Sequence, residues 1–217
     1  RKKVVALYDG AIRYTDRYIG RLSALLSELG LAQNTVLVVL SDHGEEFWDH
    51  GSVIHAHALY EEQVRVPLIW RLPGKDFAGK RLDAVVRLLD VGPTVLDLLG
   101  LEAQAEFYGR SLLPMMRGAD RSSGPALSEI RLKKSWTAFP WKLHTDGKTG
   151  EVRLFHLVSD PEEKNDVAEA NPDVVRSLWM QTRAYLKGES SREILELDPE
   201  IEDEALRKQL RALGYIE

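Results

Sequence analysis

Thr35-Val36-Leu37-Val38-Val39-Leu40 is an unbroken run of β-branched and aliphatic side chains. Such a run, without polar alternation, reads as a fully buried strand. The residues before it, from about 4 to 29, carry Tyr8, Ile12, Ile19, Leu22, Leu26 and Leu29 at helical spacing, which predicts one long amphipathic helix. Gly30 stands where a helix C′ residue is expected. Helix, short loop and buried strand make one αβ unit. The strand runs directly into Ser41-Asp42-His43-Gly44. Ligand sites of open α/β sheets lie at the carboxyl ends of their strands, so Asp42 and His43 fall where chemistry is expected.

The residues after that strand deepen the signal. Four of the six histidines, His43, His50, His55 and His57, lie between positions 43 and 57. Asp42 offers a hard oxygen and His43 a neutral nitrogen, both suited to a divalent metal. Gly44 permits the backbone turn that would let adjacent side chains reach one ion. An Asp that caps a turn beside a partly buried His is the competing reading. Two ligands do not complete a Mg²⁺, Ca²⁺ or Mn²⁺ site, so further oxygens must come from elsewhere. His55 and His57 could donate to an anionic oxygen or protonate a leaving group; surface histidines in a polar loop are the alternative. Asp49 and His50 read in the same two ways. The pairs Glu45-Glu46 and Glu61-Glu62 read as solvated faces, although paired carboxylates also serve glycoside hydrolysis. Arg65 and Arg110 are candidates for an anionic substrate, with a structural ion pair as the other reading of Arg65. The tryptophans sit in apolar patterns and are expected in the core, and His144 and His156 are expected to be structural.

Further along, a strand is expected at Val66–Trp70, with Pro67 at an edge or at its first residue, and a helix from Asp90 with Pro93 in its first turn. From about residue 125 short alternating segments around Ala126–Ile130, Ser135–Phe139, Trp141–His144 and Val152–Leu157, with a turn at Thr145–Gly150, predict a small antiparallel sheet. A helix from Pro172 to about Lys187 is expected to cover it, with Val175, Leu178, Trp179 and Leu186 inward. The fold class is therefore α/β: part of a doubly wound mixed sheet with helices, followed by an antiparallel sheet and helix subdomain. The boundaries are 1–124, 125–188 and a charged tail, 189–217, with a short helix near 200–213.

Composition narrows the function. A net charge of −5 gives no footprint for nucleic acid or an anionic membrane, and no apolar run reaches the roughly 18 residues of a membrane span. With no cysteine the chain has no disulfide, zinc-thiolate site or cysteine nucleophile. It carries no Gly-rich phosphate loop and no Gly-x-Ser-x-Gly elbow. Arg1-Lys2-Lys3 leads into an amphipathic pattern rather than a signal peptide, and the chain opens in a helix without Met, which we read as the middle of a larger protein.

An ordered series of segments resembles the sulfatase family of the alkaline-phosphatase-like hydrolases. It includes Tyr8–Tyr14 with Asp16 and Ile19–Leu22, Asn34–Glu45, His57–Glu62 with Arg65–Ile69, Asp90–Leu96, Gly109–Leu112, Trp141–Leu143, Leu154–Leu157, Asp160–Asp166 and Leu210–Tyr215. The resemblance implies that Asp42 and His43 are ligands of a divalent metal (Ca²⁺, Mg²⁺, Mn²⁺ or Zn²⁺). It implies that His57, with His55 as second choice, contacts the sulfate or the leaving-group oxygen. The family's other metal ligands, and the Cys or Ser converted to formylglycine in a Cys/Ser-x-Pro-x-Arg motif, have no counterpart here. The chain thus resembles the family's C-terminal half, expected to be inactive alone and to dimerise, bind its missing half or use a rearranged sheet. A phosphoric-ester or phosphonate hydrolase or a phosphoethanolamine transferase on the same scaffold, and a non-catalytic interaction module, are the competing readings.

Overall fold

A computed structural model describes residues 1–190 except 75, 103–106, 121 and 123. The predicted short helix near 200–213 lies outside the described residues. The first helix, α1, runs Lys2–Glu28. Gly30 adopts φ 69°, and the bonds Gly30 N–H to Ser27 O and Leu31 N–H to Leu26 O close the helix in a Schellman arrangement. The expected periodicity is present but its apolar face is not covered. No residue of α1 is buried, and Ile12, Leu22 and Leu29 are all largely exposed. Its N-terminal half touches the next elements through Tyr8, edge-to-face on Phe47, and Arg1 over the Trp48 ring.

Strand β1 (Leu37–Leu40) pairs antiparallel with β4 (Leu68–Arg71), with Leu37 opposite Arg71 and Leu40 opposite Leu68. Pro67 stands immediately before β4, where it removes no ladder bond. The expectation of a fully buried β1 is not met. Among the described residues it has this one neighbour, its first three residues are half-buried and Leu40 is exposed. Between them lie the hairpin β2 (Glu46–Phe47) and β3 (Val53–Ile54) and the one-turn helix α2 (Glu61–Val64).

The chain then enters a 3-10 turn at Leu88–Asp90 and helix α3 (Val91–Leu98). Asp90, 1% exposed, explains why the helix starts there. Its carboxylate accepts the Arg87 and Arg110 backbone N–H groups and the Arg87 guanidinium, each at 2.8–2.9 Å. Helix α4 (Leu113–Met116) seats Leu112, Leu113 and Met116 against Leu68, Trp70, Phe77 and Leu98 as one core.

The second layer is a four-stranded antiparallel meander, β5 (Ala126–Ile130), β6 (Lys133–Ala138), β7 (Trp141–Asp146) and β8 (Val152–His156). Trp136, Leu143, Leu154 and Phe155 are buried in it. Helix α5 (Pro172–Ser190) follows and buries Leu178, while Trp179, expected inward, is 43% exposed. Of the tryptophans only Trp136 is fully buried among the described residues. The compact body extends from Arg1 to Thr182, and the described residues from Arg183 onward belong to a second unit. Among the described residues no helix is long and apolar enough to cross a membrane.

Candidate active site

The carboxyl end of β1 turns sharply at Gly44. Its N–H donates to Gln63 O at 2.8 Å, and a Cβ there would stand 2.1 Å from the Glu62 carbonyl oxygen. Only glycine allows this approach, which brings α2 under the Asp42-His43 pair. The His43 N–H donates to Asp42 Oδ1 at 3.0 Å, and the His43 Nε2 lies 3.8 Å from the same oxygen. His43 Nδ1 faces Gly44 O at 2.9 Å, so Nδ1 carries the proton. That bond leaves the Nε2 lone pair on the Asp42 side, as a metal-binding imidazole requires. Both side chains are partly open to solvent. The donor set suits a hard or borderline divalent ion, but it supplies two ligands. Among the described residues no group of three or more His, Asp or Glu is placed to hold one metal.

His55 joins this pair. Its ring stacks on His43 with centroids 3.8 Å apart and planes at 25°. Its Nδ1 is 3.4 Å from Glu45 Oε1, and its Nε2 has no hydrogen-bond partner among the described residues. Asp42, His43 and His55 line a cleft of about 1260 Å³ that continues past Gln63 and Lys80 to β4. His57 stands outside the lining. Its Nε2 donates to Glu46 Oε2 at 2.7 Å, and its Nδ1 lies 3.3 Å from His55 O. The sequence places both histidines in one short segment; the structure separates one that faces the cleft from one that faces the protein.

Three positions in this segment differ from the polar, solvated reading. Glu46 is 1% exposed. His50 is largely buried, with Nδ1 2.7 Å from Glu62 Oε1, Nε2 3.1 Å from Glu163 O and its ring flat on Tyr60 at 3.5 Å. Glu61 receives the Lys142 ammonium at 2.9 Å. Lys142 and Glu163 are themselves buried, and their nitrogen and oxygen are 3.2 Å apart. Glu163 Oε2 also accepts the Glu61 N–H at 2.6 Å, and Oε1 accepts His144 Nε2 at 3.0 Å. Lys142 and His144 alternate on one face of β7, so one strand presents both to Glu163. Burial pushes the Glu163 carboxyl up, but the His144 hydrogen bond and the Lys142 charge outweigh it and hold it below its ordinary value. Burial pushes His144 down, against the Glu163 hydrogen bond. His144 is therefore a neutral donor, and Lys142 supplies the charge that Glu163 needs. Periodicity marks Lys142 and His144 as neighbours on a strand face; Glu163, a loop residue with φ 52°, carried no local signal beyond its place in the Asp160–Asp166 segment.

The sequence profile of the Sulfatase family matches residues 1–101. The chain is 30% identical over 209 residues to arylsulfatase K of Canis lupus familiaris, an alignment covering 85% of this chain and 37% of that protein. The chain thus spans little more than a third of the length of the curated relatives it matches. A phosphonate monoester hydrolase of Agrobacterium radiobacter superposes with TM-score 0.71 at 22% identity, over 80% of this chain and 39% of its own. A protein solved in complex with its substrate D-glucosamine-2-N,6-O-disulfate gives TM-score 0.66 at 22% identity, over 84% and 41%. These two identities establish the fold alone. The matched profile contains the whole segment from α1 through Asp42, His43, His55 and α3, and with the arylsulfatase alignment extending through most of the chain, the protein belongs to the sulfatase family.

Proposed function

We propose that this chain supplies one side of the active site of a metal-dependent sulfuric-ester hydrolase. The observation that carries the reading is the convergence of Asp42, His43 and His55 on one cleft. Asp42 Oδ1 and His43 Nε2 are the two ligands this chain offers to a divalent ion. Such an ion, when bound, polarises the ester oxygens and lowers the cost of the developing charge. The remaining ligands come from outside the described residues. His55 is the side chain we assign to the leaving-group oxygen, in place of the sequence preference for His57. Its Nε2 is unengaged among the described residues, while His57 is held by Glu46. An imidazole there donates a hydrogen bond or a proton to the departing alkoxide. Residues 1–124 carry these groups, and residues 125–188 form the subdomain that braces them through Lys142 and Glu163.

The nucleophile is not among this chain's residues. There is no cysteine, and no Ser or Thr begins a Ser/Thr-x-Pro-x-Arg sequence. We therefore infer that the 217 residues alone do not turn over a sulfate ester. The test is an aryl-sulfate assay on the purified chain with Ca²⁺, Mg²⁺, Mn²⁺ or Zn²⁺ added. Metal-dependent release of aryl alcohol above the Asp42→Ala background would overturn the inference. The fold likeness to a phosphonate monoester hydrolase favours one second reading, phosphoryl or phosphonyl transfer on the same scaffold. The substrate preference of the complete protein separates the two, measured as hydrolysis rates on an aryl sulfate and an aryl phosphonate with the same leaving group.

A further inference from the structure

Glu46 is buried beside the cleft without lining it, and its two oxygens are used differently. Oε1 accepts the backbone N–H groups of His50 at 3.0 Å and Ser52 at 2.7 Å. Oε2 accepts His57 Nε2 at 2.7 Å and Gln63 Nε2 at 3.1 Å. One carboxylate thus ties the chain on both sides of the segment Ile54-His55-Ala56. That segment has an unusual backbone: Ile54 has φ 68° and Ala56 φ 66°. A β-branched residue rarely adopts the left-handed region, and such a conformation persists only where its surroundings over-determine it. With both neighbours left-handed, the ring of His55 is turned onto His43. Lys133 adds a second tie by donating to His57 O at 2.8 Å.

We propose that Glu46 is the positioning residue of His55. By fixing His50, Ser52 and His57 at once, the buried carboxylate imposes the turn that lays the His55 imidazole on His43 and points its Nε2 into the cleft. His57 is part of this brace and not a group that meets the ester. The inference rests on the reading of His55 as the side chain that faces the ester oxygen. Burial pushes the Glu46 carboxyl up, but the donors from Ser52, His57 and His50 outweigh it and hold it below its ordinary value. It is therefore ionised at neutral pH and accepts from all four partners. Glu46→Gln keeps the volume but offers one acceptor oxygen and one donor amide, so it satisfies one side of the brace and opposes the other.

The test uses the 217-residue chain with isotope-labelled histidine. In the parent, the expected spectrum has a slowly exchanging proton on His57 Nε2, protected His50 and Ser52 amides, and a ring-to-ring Overhauser contact between His43 and His55. In Glu46→Gln the His43–His55 contact is lost, while the amide pattern of β6, β7 and β8 is unchanged. Retention of that contact in Glu46→Gln overturns the proposal. So does free exchange of the His50 and Ser52 amides in the parent, a measurement that stands if the variant does not fold. The underlying reading is tested separately by titrating the parent with Mg²⁺ and inorganic sulfate. If His55 does not shift while the contact still depends on Glu46, His55 is placed as proposed but does not serve the ester.

Discussion

The imidazole of His55 lies against that of His43, ring on ring at 3.8 Å, although eleven residues of chain separate them. Between them runs a hairpin whose backbone takes the left-handed conformation at Trp48 and Ile54, and Ala56, just past His55, takes it too. His43 is on the metal side of the proposed site and His55 on the leaving-group side.

The two histidines of the 55–57 segment should respond differently to removal. His57→Ala removes one of the two donors to Glu46 Oε2 and leaves Gln63, and a hydrogen bond to a charged group is worth about 1.5–3 kcal/mol. His55→Ala removes a partly exposed ring and should leave stability within about 0.5 kcal/mol. Urea unfolding followed by tryptophan fluorescence measures both. Equal losses would return His57 to the cleft.

Metal affinity should follow Asp42 and His43. The double variant Asp42→Ala, His43→Ala should weaken Mn²⁺ binding by more than the roughly 10–100-fold that loss of an outer-shell partner costs. Calorimetric titration checks it. Undiminished binding would place the metal elsewhere and favour the non-catalytic module.

Gly44→Ala should be costly for a methyl group. Its Cβ meets the Glu62 carbonyl oxygen at 2.1 Å, and backbone cannot swing aside as a flexible side chain can. Overpacking of this kind costs about 1–3 kcal/mol. The same change should weaken Mn²⁺ binding, because α2 supports the turn that carries His43. A variant as stable as the parent would contradict the close approach.

Acid should weaken the junction between α2 and the meander. Glu163 has a depressed folded pKa, so its contribution is present above its unfolded value of about 4.3 and is lost as pH falls through the folded value. His144 is also depressed. The unfolded chain takes up its proton near pH 6.5 while the folded chain does not, so stability declines as pH falls below about 6.5 and levels off only below the folded pKa. His144→Gln should flatten the first part of this decline, and urea midpoints from pH 7.5 to 5 would show it. Removing one member of the buried pair, as in Lys142→Met, should cost about 3–5 kcal/mol at pH 7.

Helix α1, the antiparallel meander and the position of Asp42 at a strand end were all legible from periodicity, turn residues and the apolar run before Ser41. What was not legible depends on contacts between distant segments. Glu46 looks like half of a surface acidic pair until donors from residues 50, 52, 57 and 63 enclose it. Lys142 looks like an outward strand residue until Glu61 and Glu163 meet it from two other elements. The apolar run Thr35–Leu40 carries the composition of a doubly covered strand, yet β4 is its one neighbour among the described residues, because composition records how much surface a strand is suited to bury and not which segment buries it. Our proposal of His55 over His57 reverses the sequence preference for a similar reason, since two residues of one type in one loop differ only in the direction that the backbone gives them.

The burial of Lys142 makes it a chemical reporter. An amine-reactive reagent modifies surface lysines first and reaches this ammonium only when the meander parts from α2. Its acylation rate, read by mass spectrometry against that of an exposed lysine such as Lys2, is a clock for that opening, and it runs without labels, substrate or metal.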